Sequence, residues 1–255
     1  MCQLLGMNCN VPTDICFSFE GFRRRGGDTD HHRDGWGIGF FEDRGCRLFL
    51  DYQPSAISPI AELVRNYPIK STNVIAHIRK ATVGEVSLAN THPFRRELWG
   101  RYWVFAHNGD VKDPPRLDGH RFRPVGNTDS EHMFCWLLER LAERFVDFPA
   151  EAELFAVLRE LAADLAQRGV VNFMLSNGQW LAAHCSTRLH YIVRQAPFGC
   201  AHLVDNDITV DFSEYTTQRD LVSVIATQPL TDNEVWTPMA PGELLIFRDG
   251  MPMRP

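Results

Sequence analysis

The sequence predicts an α+β fold: two antiparallel β-sheets covered by helices. Three observations point there. Short apolar runs rich in β-branched and aromatic residues recur in both halves of the chain. Two amphipathic stretches with helical period stand together between them, over residues 128–169. Turn signals are spread evenly, with no low-complexity linker, internal repeat or charge block, so one continuous domain over residues 1–255 is the simplest reading. A chain of 255 residues is long enough to bury roughly three quarters of its unfolded surface.

The elements follow in order. Trp36–Phe41 and Cys46–Leu50 flank a charged turn with Gly45 and predict a hairpin. Ser58-Pro59 supplies an N-cap and a first-turn proline for a helix carrying Ile60, Leu63 and Val64. Val74–Ile78 and Tyr102–Ala106 are strand-like. Thr128-Asp129-Ser130-Glu131 has capping-box form and opens a helix with Met133, Phe134, Leu137, Leu138 and Leu141 on one stripe. A second helix follows Pro149, repeats Leu154, Val157, Leu158, Leu161 and Leu165, and ends at Gly169. Val170–Leu175 and Trp180–His184 are divided by Asn177-Gly178, a strong hairpin signal. Leu189–Arg194, Leu221–Ala226 and Glu243–Phe247 complete the strands.

Bulk properties exclude several classes. Hydrophobic content of 44% and charged content of 23% describe an ordinary globular protein. A net charge of −6 offers no basic field for nucleic acid. No apolar run is long enough to span a bilayer, and the N-terminus lacks the form of a secretory signal, so no membrane partner and a cytoplasmic location are expected. The seven cysteines are scattered without CxxC spacing, which fits neither a disulfide framework nor a zinc knuckle. No residue pattern calls for a metal or an organic cofactor.

Cys2 stands directly behind Met1. Removal of Met1 would put a thiol nucleophile and a free α-amine, its potential base, on one residue. An α-amine near pKa ~8 and a thiol near ~8.5 are matched for proton transfer. Three further segments could carry chemistry. Ala76-His-Ile-Arg79-Lys-Ala-Thr82 delivers an arginine at a strand end, where a surface charge is the plain alternative. His107-Asn108-Gly109-Asp110 reads first as a tight turn. It could also aim the Asn108 amide and the Gly109 N–H at one oxygen, as an oxyanion hole does. For Thr128–Glu131, helix capping is a sufficient explanation.

Together, Met1-Cys2, Arg79-x-x-Thr82, Asn90-Thr-His92-Pro93, His107-Asn108-Gly109 and Thr128-Asp129-Ser130-Glu131 resemble the glutaminase domain of class II glutamine amidotransferases, in that family's order. The blocks Met1–Met7, Asp34-Gly35-Trp36-Gly37 and Ala226-Thr-Gln-Pro-Leu230 resemble its YafJ-like single-domain branch. The resemblance implies the N-terminal-nucleophile hydrolase fold, a four-layer αββα sandwich. It implies that Cys2 attacks the γ-amide of glutamine or another γ-glutamyl compound, that Asn108 and Gly109 hold the oxyanion, and that Arg79 and Asp129 grip the α-carboxylate and α-ammonium. Thr82 and His92 would line the same pocket. The ammonia would go to water or to a separate synthase; a non-catalytic γ-glutamyl-binding protein is the competing class.

Other candidates read more plainly. His31-His32 with Asp34 lacks a spaced third metal ligand. Arg23-Arg24-Arg25-Gly26-Gly27 reads as a solvated loop, with an anion-binding role as the alternative. His184 and Cys185, adjacent on a strand, should point to opposite faces.

Overall fold

The computed structural model describes residues 2–81, 85–119 and 121–255. In chain order its strands are β1 (Gln3–Thr13), β2 (Trp36–Glu42), β3 (Gly45–Asp51), β4 (Ser71–Ile78), β5 (Phe94–Leu98), β6 (Arg101–Val111), β7 (Gly169–Ser176) and β8 (Leu181–Cys185). There follow β9 (His190–Arg194), β10 (Cys200–His202), β11 (Thr209–Asp211), β12 (Val222–Ala226), β13 (Thr237–Pro238), β14 (Glu243–Arg248) and β15 (Met251–Met253). The α-helices are α1 (Cys16–Arg24), α2 (Pro59–Asn66), α3 (Asp129–Arg144) and α4 (Glu151–Ala166).

One sheet runs β13-β9-β12-β1-β4-β2-β3, the other β15-β14-β8-β7-β6-β5, and β10-β11 form a small separate ribbon. Strand alternation sorts the side chains into layers. On the first sheet, Leu5, Met7, Val74, Ala76 and Ile38 pack against Phe19 and Phe22 of α1 and Ala61 and Val64 of α2. On the second, Trp103, Phe105, Phe173 and Leu175 pack against the stripes of α3 and α4. Phe105 stacks on Phe134 with ring centroids 5.2 Å apart. Between the sheets lie Leu4, Phe41, Ile75, Val104, Ala106, Met174 and Phe247. The order is therefore helix, sheet, sheet, helix. Gly37 on β2 is closely packed: a Cβ there would meet the His92 carbonyl oxygen at 2.4 Å.

Most expected elements are present, with differences. The α3 cap is half a capping box: Thr128 accepts the Glu131 N–H, but the Glu131 carboxylate turns away to the N–H groups of Val125 and Gly126 and to Arg96. Gly169 opens β7 rather than ending α4, which stops at Ala166. The expected turn at His107-Asn108-Gly109 is wrong. β6 continues to Val111, because β7 pairs with it along its length as far as Val111↔Gly169. The arginine run is not a solvated loop. Arg23 and Arg24 close α1, Arg23 pairs with Glu20, and Arg25 is buried against Asp205 and the carbonyls of Gln228 and Pro229. Of the two first-half helices, α2 is expected from the sequence, but α1 (Cys16–Arg24) is not. No helix among the described residues is long and apolar enough to cross a membrane.

Candidate active site

Cys2 precedes β1, a strand in the middle of its sheet between β12 and β4. The start of β1 is clamped from both sides. Leu4 donates its N–H to Thr227 Oγ1 at 2.9 Å, and Thr227 returns its own N–H to the Leu4 carbonyl at 3.1 Å. The Cys2 sulfur meets the chain just beyond β4: it accepts the Lys80 N–H at 3.2 Å and faces the Lys80 carbonyl at 3.5 Å. Burial pushes the thiol up; the Lys80 N–H and the Arg79 charge pull it down, and the Asp129 charge pushes it up again. Cys2 thus lies within electrostatic reach of both Arg79 and Asp129.

Arg79 follows directly on β4 and is buried. Its Nη1 donates to the Glu85 carbonyl at 3.0 Å. Burial lowers the guanidinium pKa, opposed by the charges of Cys2 and Asp34. Such a group remains a cation at neutral pH. The segment Asp34-Gly35 sets this loop: Arg79 N–H donates to Gly35 O at 2.8 Å, Asp34 N–H to Arg79 O at 3.2 Å, and Ala81 N–H to Asp34 Oδ2 at 2.7 Å. Thr82 and Met1 lie outside the described residues.

Asn108 and Gly109 lie in the continuous part of β6. Asn108 is 1% exposed, and both polar atoms of its side-chain amide lack a hydrogen-bond partner among the described residues. β5 pairs with residues 101–105 of β6, and among the described residues no strand pairs with that edge beyond Phe105. Val111 N–H leaves the strand on that edge to reach Asp129 Oδ2 at 2.9 Å. By alternation, Gly109 N–H points to the same edge one residue pair earlier. A carboxamide and a backbone N–H on adjacent residues are two donors from which one anionic oxygen can accept.

Asp129 is held as the first residue of α3, with Oδ1 accepting its neighbour Ser130's N–H at 2.8 Å. His107 ties this helix start to the sheet from behind. Its Nε2–H donates to the Val170 carbonyl at 3.1 Å, which leaves Nδ1 to accept from the Ser130 hydroxyl at 2.8 Å. The imidazole fills the space above Gly109, where a Cβ would lie 2.6 Å from its Nε2 and 1.7 Å from the Val170 oxygen. That crowding explains the glycine. Burial holds His107 below the ordinary imidazole range, against the Asp129 charge, so it is a neutral link.

His92 is buried, its ring 4.2 Å from that of His77 and 4.4 Å from Phe94, and among the described residues neither of its ring nitrogens has a hydrogen-bond partner. Burial drives both His77 and His92 well below the usual range. Asp129 also lines a cavity of about 520 Å³ with Lys112, Asn127, Thr128 and His132.

The structure thus joins the Cys2 sulfur to the residue after Arg79, and joins Asp129 to the end of β6 that carries Asn108 and Gly109. Sequence reasoning missed the supports: Lys80, Asp34, His77, Ser130 and Thr227. All five stand inside the quoted segments Ala76–Thr82, Asp34–Gly37, Thr128–Glu131 and Ala226–Leu230, where sequence reasoning assigns them no role. His32 pairs with Asp30 at 3.2 Å, and among the described residues no group of three His, Cys, Asp or Glu could hold a metal ion. His184 and Cys185 face opposite layers.

Comparison with known proteins shows the family and the fold. The family model "Glutamine amidotransferases class-II" matches residues 1–254. A protein of Escherichia coli (strain K12) named "Putative glutamine amidotransferase YafJ" is 57% identical over 248 residues, covering 97% of each chain. The crystal structure of a "predicted glutamine amidotransferase" from Pseudomonas aeruginosa superposes with a TM-score of 0.80 at 46% identity, over 99% of this chain and 100% of that one. A glutamine phosphoribosylpyrophosphate amidotransferase of B. subtilis shares the fold at 13% identity and a TM-score of 0.59, over 99% of this chain and 49% of that one. With an αββα sandwich and a family match that runs from residue 1 to residue 254, this chain belongs to the class II glutamine amidotransferases.

Proposed function

We propose that the protein hydrolyses the γ-amide of glutamine or a related γ-glutamyl compound through a Cys2 thioester. Loss of Met1 frees the Cys2 α-amine. The amine takes the thiol proton as sulfur attacks the γ-carbonyl carbon, and the proton passes to the leaving nitrogen as the C–N bond breaks. Ammonia or an amine departs, and water then cleaves the thioester, restoring the thiol and releasing glutamate. Asn108 Nδ2 and the Gly109 N–H stabilise the oxyanion in both halves. Arg79 binds the α-carboxylate and Asp129 the α-ammonium.

The observation that carries this reading is the position of the Cys2 sulfur. It rests on the Lys80 N–H within electrostatic reach of one buried cation, Arg79, and one anion, Asp129. A zwitterionic amino-acid end with a neutral amide reaching the sulfur matches that charge pattern. The family resemblance assigns His92 to the pocket wall. A separate ammonia-consuming synthase is the alternative destination for the nitrogen, and a chain that feeds one should turn over slowly alone.

The test is the intact mass of the purified protein after exposure to a glutamine-mimicking diazoketone, paired with a glutamate-release assay. The expected result is loss of one methionine, one adduct on Cys2 and glutamate release. Methionine retained with no adduct would instead mark a silent γ-glutamyl binder.

A further inference from the structure

Asn172 is the most heavily bonded side chain behind the candidate oxyanion site. It lies on β7 opposite Asn108 in the ladder and is 0% exposed. Its Oδ1 accepts three backbone N–H groups in succession: Ser186 at 3.0 Å, Thr187 at 3.0 Å and Arg188 at 3.3 Å. Its Nδ2 donates to Thr187 Oγ1 at 2.9 Å and to the Asn108 carbonyl oxygen at 3.0 Å. Both amide hydrogens are used, and the oxygen is saturated. The carboxamide has no freedom to rotate.

The last of these bonds matters most. The Asn108 carbonyl and the Gly109 N–H are the two ends of one planar peptide unit. Fixing the oxygen fixes the plane, and so the direction of the N–H. A hydrogen bond to the carbonyl also polarises the peptide and strengthens its N–H as a donor. Resting on the reading of Gly109 as an oxyanion donor, we propose that Asn172 is a positioning residue: it aims and polarises the Asn108–Gly109 peptide, using the 186–188 turn as its anchor. It touches no substrate and acts only through that peptide.

A structural role alone would be to hold the 186–188 turn, and two substitutions separate the roles. In Asn172→Asp one carboxylate oxygen still accepts the three turn N–H groups, but the other faces the Asn108 oxygen with no proton to give. Asn172→Ala loses both functions. Kinetics of glutamate release should show Asn172→Asp losing about tenfold or more in kcat with KM within about twofold. Its thermal midpoint should stay closer to the parent's than that of Asn172→Ala. The amide resonance of Gly109 should shift to lower ¹⁵N frequency in both variants. A parent-like kcat in Asn172→Asp overturns the proposal, as does a Gly109 resonance that does not move. If the parent releases glutamate from no γ-glutamyl amide, the functional reading falls instead. The Gly109 resonance still decides the mechanical link between Asn172 and the peptide, and thus whether any of the inference survives.

Discussion

The backbone N–H of Lys80 lies 3.2 Å from the sulfur of Cys2, so the nucleophile is steadied by a main-chain group of the loop that follows Arg79. That bond is one of the forces lowering the thiol pKa against the effect of burial. Lys80→Pro removes the N–H while leaving the carbonyl. Alkylation of Cys2 should then need higher pH than in the parent, because the thiolate has lost a donor. A pH profile of adduct formation followed by mass spectrometry checks this, and an unshifted profile would remove Lys80 from the account.

Cys2→Ala should abolish glutamate release, since no other described cysteine shares its surroundings. Asn108→Ala should lower kcat roughly a hundredfold with a small change in KM, the signature of a group that acts on the transition state. Steady-state kinetics with glutamine decides both.

Arg79→Gln and Asp129→Asn should each lower kcat/KM by about ten- to a hundredfold, the range of a charge-assisted hydrogen bond of about 1.5–3 kcal/mol. Asp129→Asn should also cost stability, because Oδ2 holds the Val111 N–H and Oδ1 the Ser130 N–H. Equal loss of binding and stability in the first variant, with none in the second, would reverse these assignments.

Stability should fall as the pH drops below 6.5. Burial lowers the pKa of His77, His92, His107 and His184 from that ordinary value. Below pH 6.5 the unfolded chain therefore binds protons that the folded protein refuses. Each histidine contributes a slope of up to about 1.4 kcal/mol per pH unit, and the loss levels off once the depressed folded values are passed. Denaturant midpoints from pH 7.5 downward measure this; a flat line through pH 5 would contradict the burial of these rings.

Arg25→Met should destabilise the fold by about 3–5 kcal/mol by leaving the largely buried Asp205 carboxylate without its cation, while KM for glutamine stays unchanged. Arg25 anchors the segment 228–229 next to Thr227, which clamps Leu4. A rise in KM at full stability would restore the substrate-binding reading of the arginine run.

Much of the molecule is legible in local pattern. The hairpin of β2 and β3, the capped starts of α2 and α3 and the leucine stripe of α4 follow from period and capping chemistry, which act over a few residues. Five short motifs in order were enough to point to the family. The start of the chain was harder. β1 carries its apolar residues with Asn8, Asn10 and Pro12 among them, and its pairing partners lie as far off as β12. The run Arg23–Arg25 looks solvated until Glu20, Glu62 and Asp205 are seen to surround it.

By itself the sequence determined which groups were available for chemistry: a cysteine poised to become an N-terminus, an arginine at a strand end, an Asn-Gly pair and an acid at a helix cap. Only the tertiary structure decided that Asn108-Gly109 lies in a strand rather than a turn, because β7 supplies its hydrogen bonds from more than sixty residues away along the chain. The same long-range pairing opens one edge of β6 to Asp129, brings Lys80 to the sulfur and sets Asn172 behind the peptide. Local propensity cannot encode such contacts, since each depends on where two distant segments meet.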